Sequence, residues 1–264
     1  MKHRERFLRW VRVAAVVTAA LTIAVGCSER EPAPTPVRPA PSEPEPQREP
    51  LASVDGIALA IVYDTSGSMT DMVKNASGEP EAKYRIAGRA LGAILERLAA
   101  FQAASAGAPR RLDVGLWIFE GTKVKRLQSM APFAPQELQS RVAQLGRPSS
   151  DTPLGEGLAA AGAAAFASNL SRRHVLVITD GLNRRGPDPA TVLPRLLAEA
   201  KRRDTVLGVH FVAFDVAANV FEPLKRLGAT VVAATDERTL ADQLGFILER
   251  KILLEDEEPA AERK

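Results

Sequence analysis

Cysteine is nearly absent from this chain of 264 residues: Cys27 stands alone. One thiol closes no disulfide within the chain and builds no cysteine-based metal site. A lasting excess of one charge is missing too. The formal net charge is +3, but Lys2, Arg4, Arg6, Arg9 and Arg12, against Glu5, more than account for it. The remainder sits near about −1, without the basic face that a nucleic-acid binder presents. The apolar run Val13–Val25, broken by Thr18 and Thr22, is too short to span a bilayer comfortably. No internal repeat is visible. What is present, 45% hydrophobic and 25% charged residues, is ordinary for a globular protein.

A basic segment to Arg12, the apolar run and then Gly26-Cys27 form the order of an export signal. Ala24-Val25-Gly26-Cys27 resembles the bacterial lipobox, in which cleavage precedes a lipid-modified cysteine, although that pattern usually has Leu where Ala24 stands. The resemblance implies a signal peptide over 1–26 and lipidation of Cys27. It places the chain in a bacterial cell envelope, lipid-anchored at the periplasmic face of the outer membrane or at the cell surface. Ser28 is not an inner-membrane retention signal under the usual sorting rule. Residues 27–50 carry Pro32, Pro34, Pro36, Pro39, Pro41, Pro44, Pro46 and Pro50 among Ala, Glu, Arg and Ser. Such a segment favours polyproline II and reaches up to roughly 70 Å. It reads as a spacer between membrane and domain.

From Leu51 to Leu254 strand-like and helix-like segments alternate, the α/β signature. Strands are expected at Ile57–Tyr63, Leu112–Phe119, His174–Thr179, Thr205–Phe214 and Thr230–Ala234, with a polar edge strand at Lys123–Met130 pairing back after a turn at Gly121-Thr122. Helices are expected at Tyr84–Phe101, Pro135–Leu145, Pro153–Ala167, from Asp188-Pro189 to about Arg203, at Val216–Leu227 and at Glu237–Leu253. Thr70–Lys83 reads as a polar loop, and 255–264 as a charged tail. The fold class is α/β: a doubly wound, mostly parallel sheet with helices on both faces and one antiparallel edge strand.

Three short motifs follow strands or open a helix. Asp64-Thr65-Ser66-Gly67-Ser68 leaves the first buried strand, where ligands bind in an open α/β sheet. Its carboxylate and hydroxyls are hard oxygens suited to Mg²⁺. A strand-ending turn explains the same residues. Asp151-Thr152-Pro153 contains either a ligand or a helix N-cap with Pro at N1. Thr179-Asp180-Gly181 contains either a ligand or a turn. Glu120 and Asp215 also end strands, as rim residues or as turn caps.

Taken together, the order Asp-Ser-Ser, Thr, Asp resembles the von Willebrand factor type A (vWA) domain and its metal-ion-dependent adhesion site, over roughly Asp55 to Leu253. The family positions fall on Asp64, Ser66, Ser68, Thr152 and Asp180. The resemblance implies that Ser66, Ser68 and sometimes Thr152 bind Mg²⁺ or Mn²⁺ directly, with Asp64 and Asp180 often acting through water. It further implies a partner protein whose Asp or Glu carboxylate completes the coordination. The expected role is an envelope-tethered adhesion or scaffold module and not an enzyme, because no His, Cys or Lys near the motifs supplies a base or nucleophile. Histidines 174 and 210 fall inside strand patterns and are expected to be packed. The alternatives are a structural domain with a vestigial metal site or a metal-dependent or aspartic-type hydrolase. Asp64-Thr65-Ser66 departs from the D-T-G loop of the aspartic proteases, and Ser66 stands where a dehalogenase-like phosphatase would carry Asp.

Overall fold

Strand β1, Val54–Tyr63, explains the rest of the sheet. From Ile57 to Tyr63 its residues are buried on both sides, so both faces of the strand must be covered. Ile57, Leu59, Ile61 and Tyr63 point into one apolar cluster, Ala60 and Val62 into another. The computed structural model describes residues 54–104 and 111–254. The leader, Cys27, the linker to residue 50 and the tail from 255 lie outside the described residues.

Beside β1 lie β4 (Leu112–Glu120) and β6 (Leu170–Thr179), both parallel to it. Strands β7 (Leu207–Phe214) and β8 (Thr230–Ala234) continue the sheet beyond β6, and β5 (Lys123–Pro132) closes the other edge antiparallel to β4. The order is β5-β4-β1-β6-β7-β8. Helices α1 (Lys83–Ala103), α2 (Pro135–Ala143) and α6 (Glu237–Ile247) cover one face. Helices α3 (Leu154–Ala167), α4 (Pro189–Arg202) and α5 (Glu222–Arg226) cover the other. This is the doubly wound α/β architecture expected, with its antiparallel edge strand. Among the described residues no helix is long and apolar enough to cross a membrane.

The chain leaves β1 through α1 on one face and leaves β6 through α4 on the other. The carboxyl ends of these adjacent strands therefore open into a crevice at the point where the winding reverses, the ligand position of such sheets. Small residues on α3 keep that crevice tight. A methyl group on Gly157 would come within 3.1 Å of the Val62 and Phe119 side chains, which would have to give by a few tenths of an ångström to admit it, so glycine favours this close approach of α3 to β1.

Four local readings need correction. Thr70–Lys83 is not a plain loop: it holds the antiparallel hairpin of β2 (Met72–Lys74) and β3 (Pro80–Ala82), too short to leave an alternating pattern. The expected helix over 216–227 is a 3₁₀ turn, Ala218–Phe221, followed by the short α5. The final helix changes to a π-type segment at Leu248–Leu253. Thr152 is not the N-cap of α3. Pro153 takes that place without a side-chain cap, which leaves the threonine hydroxyl free of the helix. The Asp188-Pro189 start of α4 is as read, with the Asp188 carboxylate accepting from Ala190 N–H.

Candidate metal centre

At the end of β1 the chain turns on Asp64, which is fully buried. Its Oδ1 accepts from Ser66 N–H at 2.7 Å, and its Oδ2 accepts from the Thr179 hydroxyl at 2.6 Å. The first bond closes the turn, and the second joins the turn to the last residue of β6. Burial pushes the Asp64 carboxyl up to about 6. Hydrogen bonds from Ser66 and Thr179 oppose that shift, and the nearby charge of Asp180 adds to it. Thr65 fixes the other side: its Oγ1 donates to the Phe119 carbonyl at 2.6 Å and accepts from Phe119 N–H at 2.9 Å. Ser150 completes the frame, its carbonyl accepting from Gly67 N–H at 3.0 Å.

This frame aims the hydroxyls. Ser66 Oγ and Ser68 Oγ lie 3.1 Å apart, and Ser68 Oγ donates to Asp180 Oδ1 at 2.8 Å. Asp180 follows β6, so two strands contribute to one cluster. Thr152 arrives from a third segment. A methyl group built on Gly181 would lie 3.7 Å from both the Ser68 and the Thr152 hydroxyl oxygens, so the two flank the same small space. Thr152 is almost buried, and its hydroxyl takes part in no hydrogen bond among the described residues. Asp64, Ser66, Thr152 and Asp180 are buried, whereas Gly67 and Ser68 are exposed, so the cluster opens to solvent beside Ser68.

These residues fit a small hard cation. A metal–oxygen length near 2.1 Å sets neighbouring oxygens of an octahedron about 3.0 Å apart. The observed spacings of 3.1 and 2.8 Å match that edge, and Thr152 adds a hydroxyl with no protein partner. Ser66, Ser68, Thr152, Asp64 and Asp180 are the residues that would hold Mg²⁺ or Mn²⁺. Bound there, the cation would supply a Lewis-acidic position facing solvent. No cluster of three His, Cys, Asp or Glu exists among the described residues, so the centre depends on hydroxyls.

A lysine does stand beside these motifs, paired with carboxylates. Lys83, the first residue of α1, places Nζ 3.0 Å from Asp180 Oδ2 and 2.9 Å from Asp215 Oδ2. Its side chain is 5% exposed, and the exposed Asp71 lies at 3.8 Å. Burial works against the ammonium charge, but the hydrogen bonds and charges of Asp215 and Asp180 outweigh it and hold Lys83 above its ordinary range. Asp215 is thus a member of the rim. Glu120 ends β4 at the same edge, where it is exposed, lines a hollow with Thr65 and Ser150, and pairs with Lys125 at 2.5 Å. The only sequence signal for Lys83 is a cation at a helix start, where the dipole disfavours it.

The two histidines are packed, as expected. Both are buried, with His174 Nδ1 and His210 Nε2 3.3 Å apart. In the sheet, His174 stands opposite Leu59, about 16 Å along β1 from Asp64. They take no part in the metal centre.

No protein-family model matches the chain, and no curated protein matches it. Solved structures do. The PilB minor pilin from Streptococcus sanguinis shares 15% identity with a TM-score of 0.57, over 76% of this chain and 62% of that one. The vWF domain of the type V pili tip protein Mfa5 from Porphyromonas gingivalis shares 13% identity with a TM-score of 0.56, over 75% of this chain and 95% of that domain. Proximal thread matrix protein 1 from the mussel byssus, solved with a zinc-occupied MIDAS motif, shares 14% identity with a TM-score of 0.52. That match covers 75% of this chain and 48% of the mussel protein. The chain spans less than two thirds of the pilin and of the mussel protein. At these identities the likeness is one of fold, and the fold is that of the vWA domain.

Proposed function

We propose that this chain is an envelope-tethered vWA module that binds a protein partner through Mg²⁺ or Mn²⁺. In this reading Asp64, Ser66, Ser68, Thr152 and Asp180 hold the cation, and an Asp or Glu carboxylate of the partner takes the position facing solvent. The observation that carries the reading is convergence. Three separate segments bring hydroxyls and carboxylates together, Ser66, Ser68 and Asp180 at octahedral spacing and Thr152 beside them, with one open side at Ser68. The similar mussel protein is described with zinc in its MIDAS motif, which supports a divalent cation as the ligand class. The pilin and pilus-tip proteins of the same fold lend support to a surface setting.

Charge bears on how the partner is held. Asp64, Asp180, Asp215 and the exposed Asp71 against Lys83 leave three negative charges, of which a dication offsets two. The partner's carboxylate is then drawn by the open coordination position more than by surplus positive charge. Binding is favoured over catalysis because Lys83 is held as an ammonium between two carboxylates, not as a free base. Tethering rests on the lipobox-like Ala24–Cys27 and the proline-rich spacer.

Calorimetric titration of the full chain with MgCl₂ and MnCl₂, beside Asp64→Ala, tests the site. One saturable site lost in the variant is the expected result, and no binding of either cation by the wild type refutes the reading. Capture of a partner from envelope extract should succeed with Mg²⁺ and fail in chelator. Membrane fractionation should show Cys27→Ser uncleaved or released, and unchanged processing and anchoring would refute the tether.

A further inference from the structure

Two locally unfavourable features meet in one contact. Lys83 puts an ammonium at the first position of α1, where unpaired N–H groups and the helix dipole favour an anion, and Ala82 before it offers no cap. Asp215 has φ 53°, the left-handed region that a non-glycine residue seldom adopts, with its N–H bonded to the Ala234 carbonyl. Neither feature serves its own element. Together they set one cation between Asp215 and Asp180, sheltered from solvent. Asp180 is divided as a result: Oδ1 accepts from Ser68, and Oδ2 faces Lys83.

We propose that Lys83 is the built-in counter-cation of the metal centre, taking up the charge of Asp180 when no divalent ion is bound and passing to Asp215 when one is. This rests on the metal reading above. An ammonium beside a metal-holding carboxylate repels a dication, so Lys83 sets the affinity lower than the oxygens alone would give. Asp215 moderates that repulsion. Its side chain is 42% exposed, against 0% for Asp180, so it keeps its charge in contact with water and accepts the ammonium after metal entry. The hand-over links the centre to the end of β7 and to the start of α1, neither of which supplies a ligand.

The test is titration of the full chain with MgCl₂ alone, read as affinity. Lys83→Met keeps the stem and removes the charge, and it should bind Mg²⁺ about tenfold tighter or more. Asp215→Asn leaves the ammonium to Asp180 and the more distant, exposed Asp71, and should bind about tenfold more weakly. A merely structural lysine gives the opposite sign for Lys83→Met, since losing the pair would loosen Asp180. Should Lys83→Met fail to fold, Lys83→Gln and Asp215→Asn carry the same test. If the wild type binds and Lys83→Met binds equally or more weakly, the counter-cation falls while the metal site stands. If no variant binds, the metal reading fails and takes this proposal with it.

Discussion

In chelator, lowering the pH from 7 to 5 should destabilise the domain by about 2.5 kcal/mol, and the opposed titrations of two histidines and one aspartate set that figure. His174 and His210 continue the rows of Leu176 and Ile178 on β6 and of Val212 and Phe214 on β7, beneath α6. Burial pushes both well below their ordinary 6.5. His174 falls to about 3, with further depression from His210 and Arg172; His210 falls to about 4, with a further push from Lys251. A histidine depressed on folding takes up its proton only after unfolding, so stability is lost as the pH drops below 6.5. At pH 5 neither folded value has yet been reached, so both folded histidines are still neutral and each loss depends only on the gap between 6.5 and 5, about 2 kcal/mol apiece. Asp64 works the other way. Its value rises from 3.8 to about 6 on folding, so the folded state gains a proton first, worth about 1.3 kcal/mol at pH 5. Glu81 and Glu237, lowered by Arg89, act mainly below this window. The histidines therefore win. Urea unfolding followed by the fluorescence of buried Trp117, in chelator at pH 7, 6 and 5, measures the sum. In His174→Gln/His210→Gln the slope should reverse, leaving a gain of about 1 kcal/mol from Asp64. Equal wild-type stability at pH 5 and 7, or an unchanged slope in the double variant, would refute the reasoning.

Asp64→Asn should raise metal-free stability at pH 7 by up to about 3 kcal/mol, because the carboxylate is ionised there against burial. The same variant should lose the rise in melting temperature on adding Mg²⁺; an unchanged melt in chelator together with a full Mg²⁺ response would contradict both parts. Gly155→Ala should destabilise by about 1–3 kcal/mol in urea, since its methyl would lie 1.9 Å from the Pro187 carbonyl and only a backbone shift relieves that. An unaltered midpoint would show that the start of α3 yields freely.

What the sequence revealed is what local patterns record. Buried strands such as Ile57–Tyr63 and His174–Thr179 show as unbroken apolar runs, and Asp188-Pro189 marks its helix by a bond within three residues. The start of β6 at Leu170 was hidden, because Ser171, Arg172 and Arg173 are polar and the segment is a strand through its ladder to β1. Asp64, Ser66, Ser68 and Asp180 do converge, since a parallel sheet delivers successive strand ends to one edge. Lys83 was missed for the converse reason. Its partners lie 97 and 132 positions away, and a lone lysine after a polar segment has no periodicity to betray it. Thr152 shows the limit of a local pattern: it stands beside Ser68, but the proline that the motif sets after the cap is itself the cap.

The central strand also has a mechanical meaning. Val54 and Asp64 stand at opposite ends of β1, and from Ile57 to Tyr63 that strand is laddered to β4 on one side and to β6 on the other. Tension applied between the segment entering at Val54 and a partner held at the loop after Tyr63 runs along the strand axis. The hydrogen bonds of both ladders are then loaded in shear and share the force, whereas a pull across the sheet would open them one by one. A molecule strung between an anchor and a ligand in this way resists extension with its whole core before any single strand peels away.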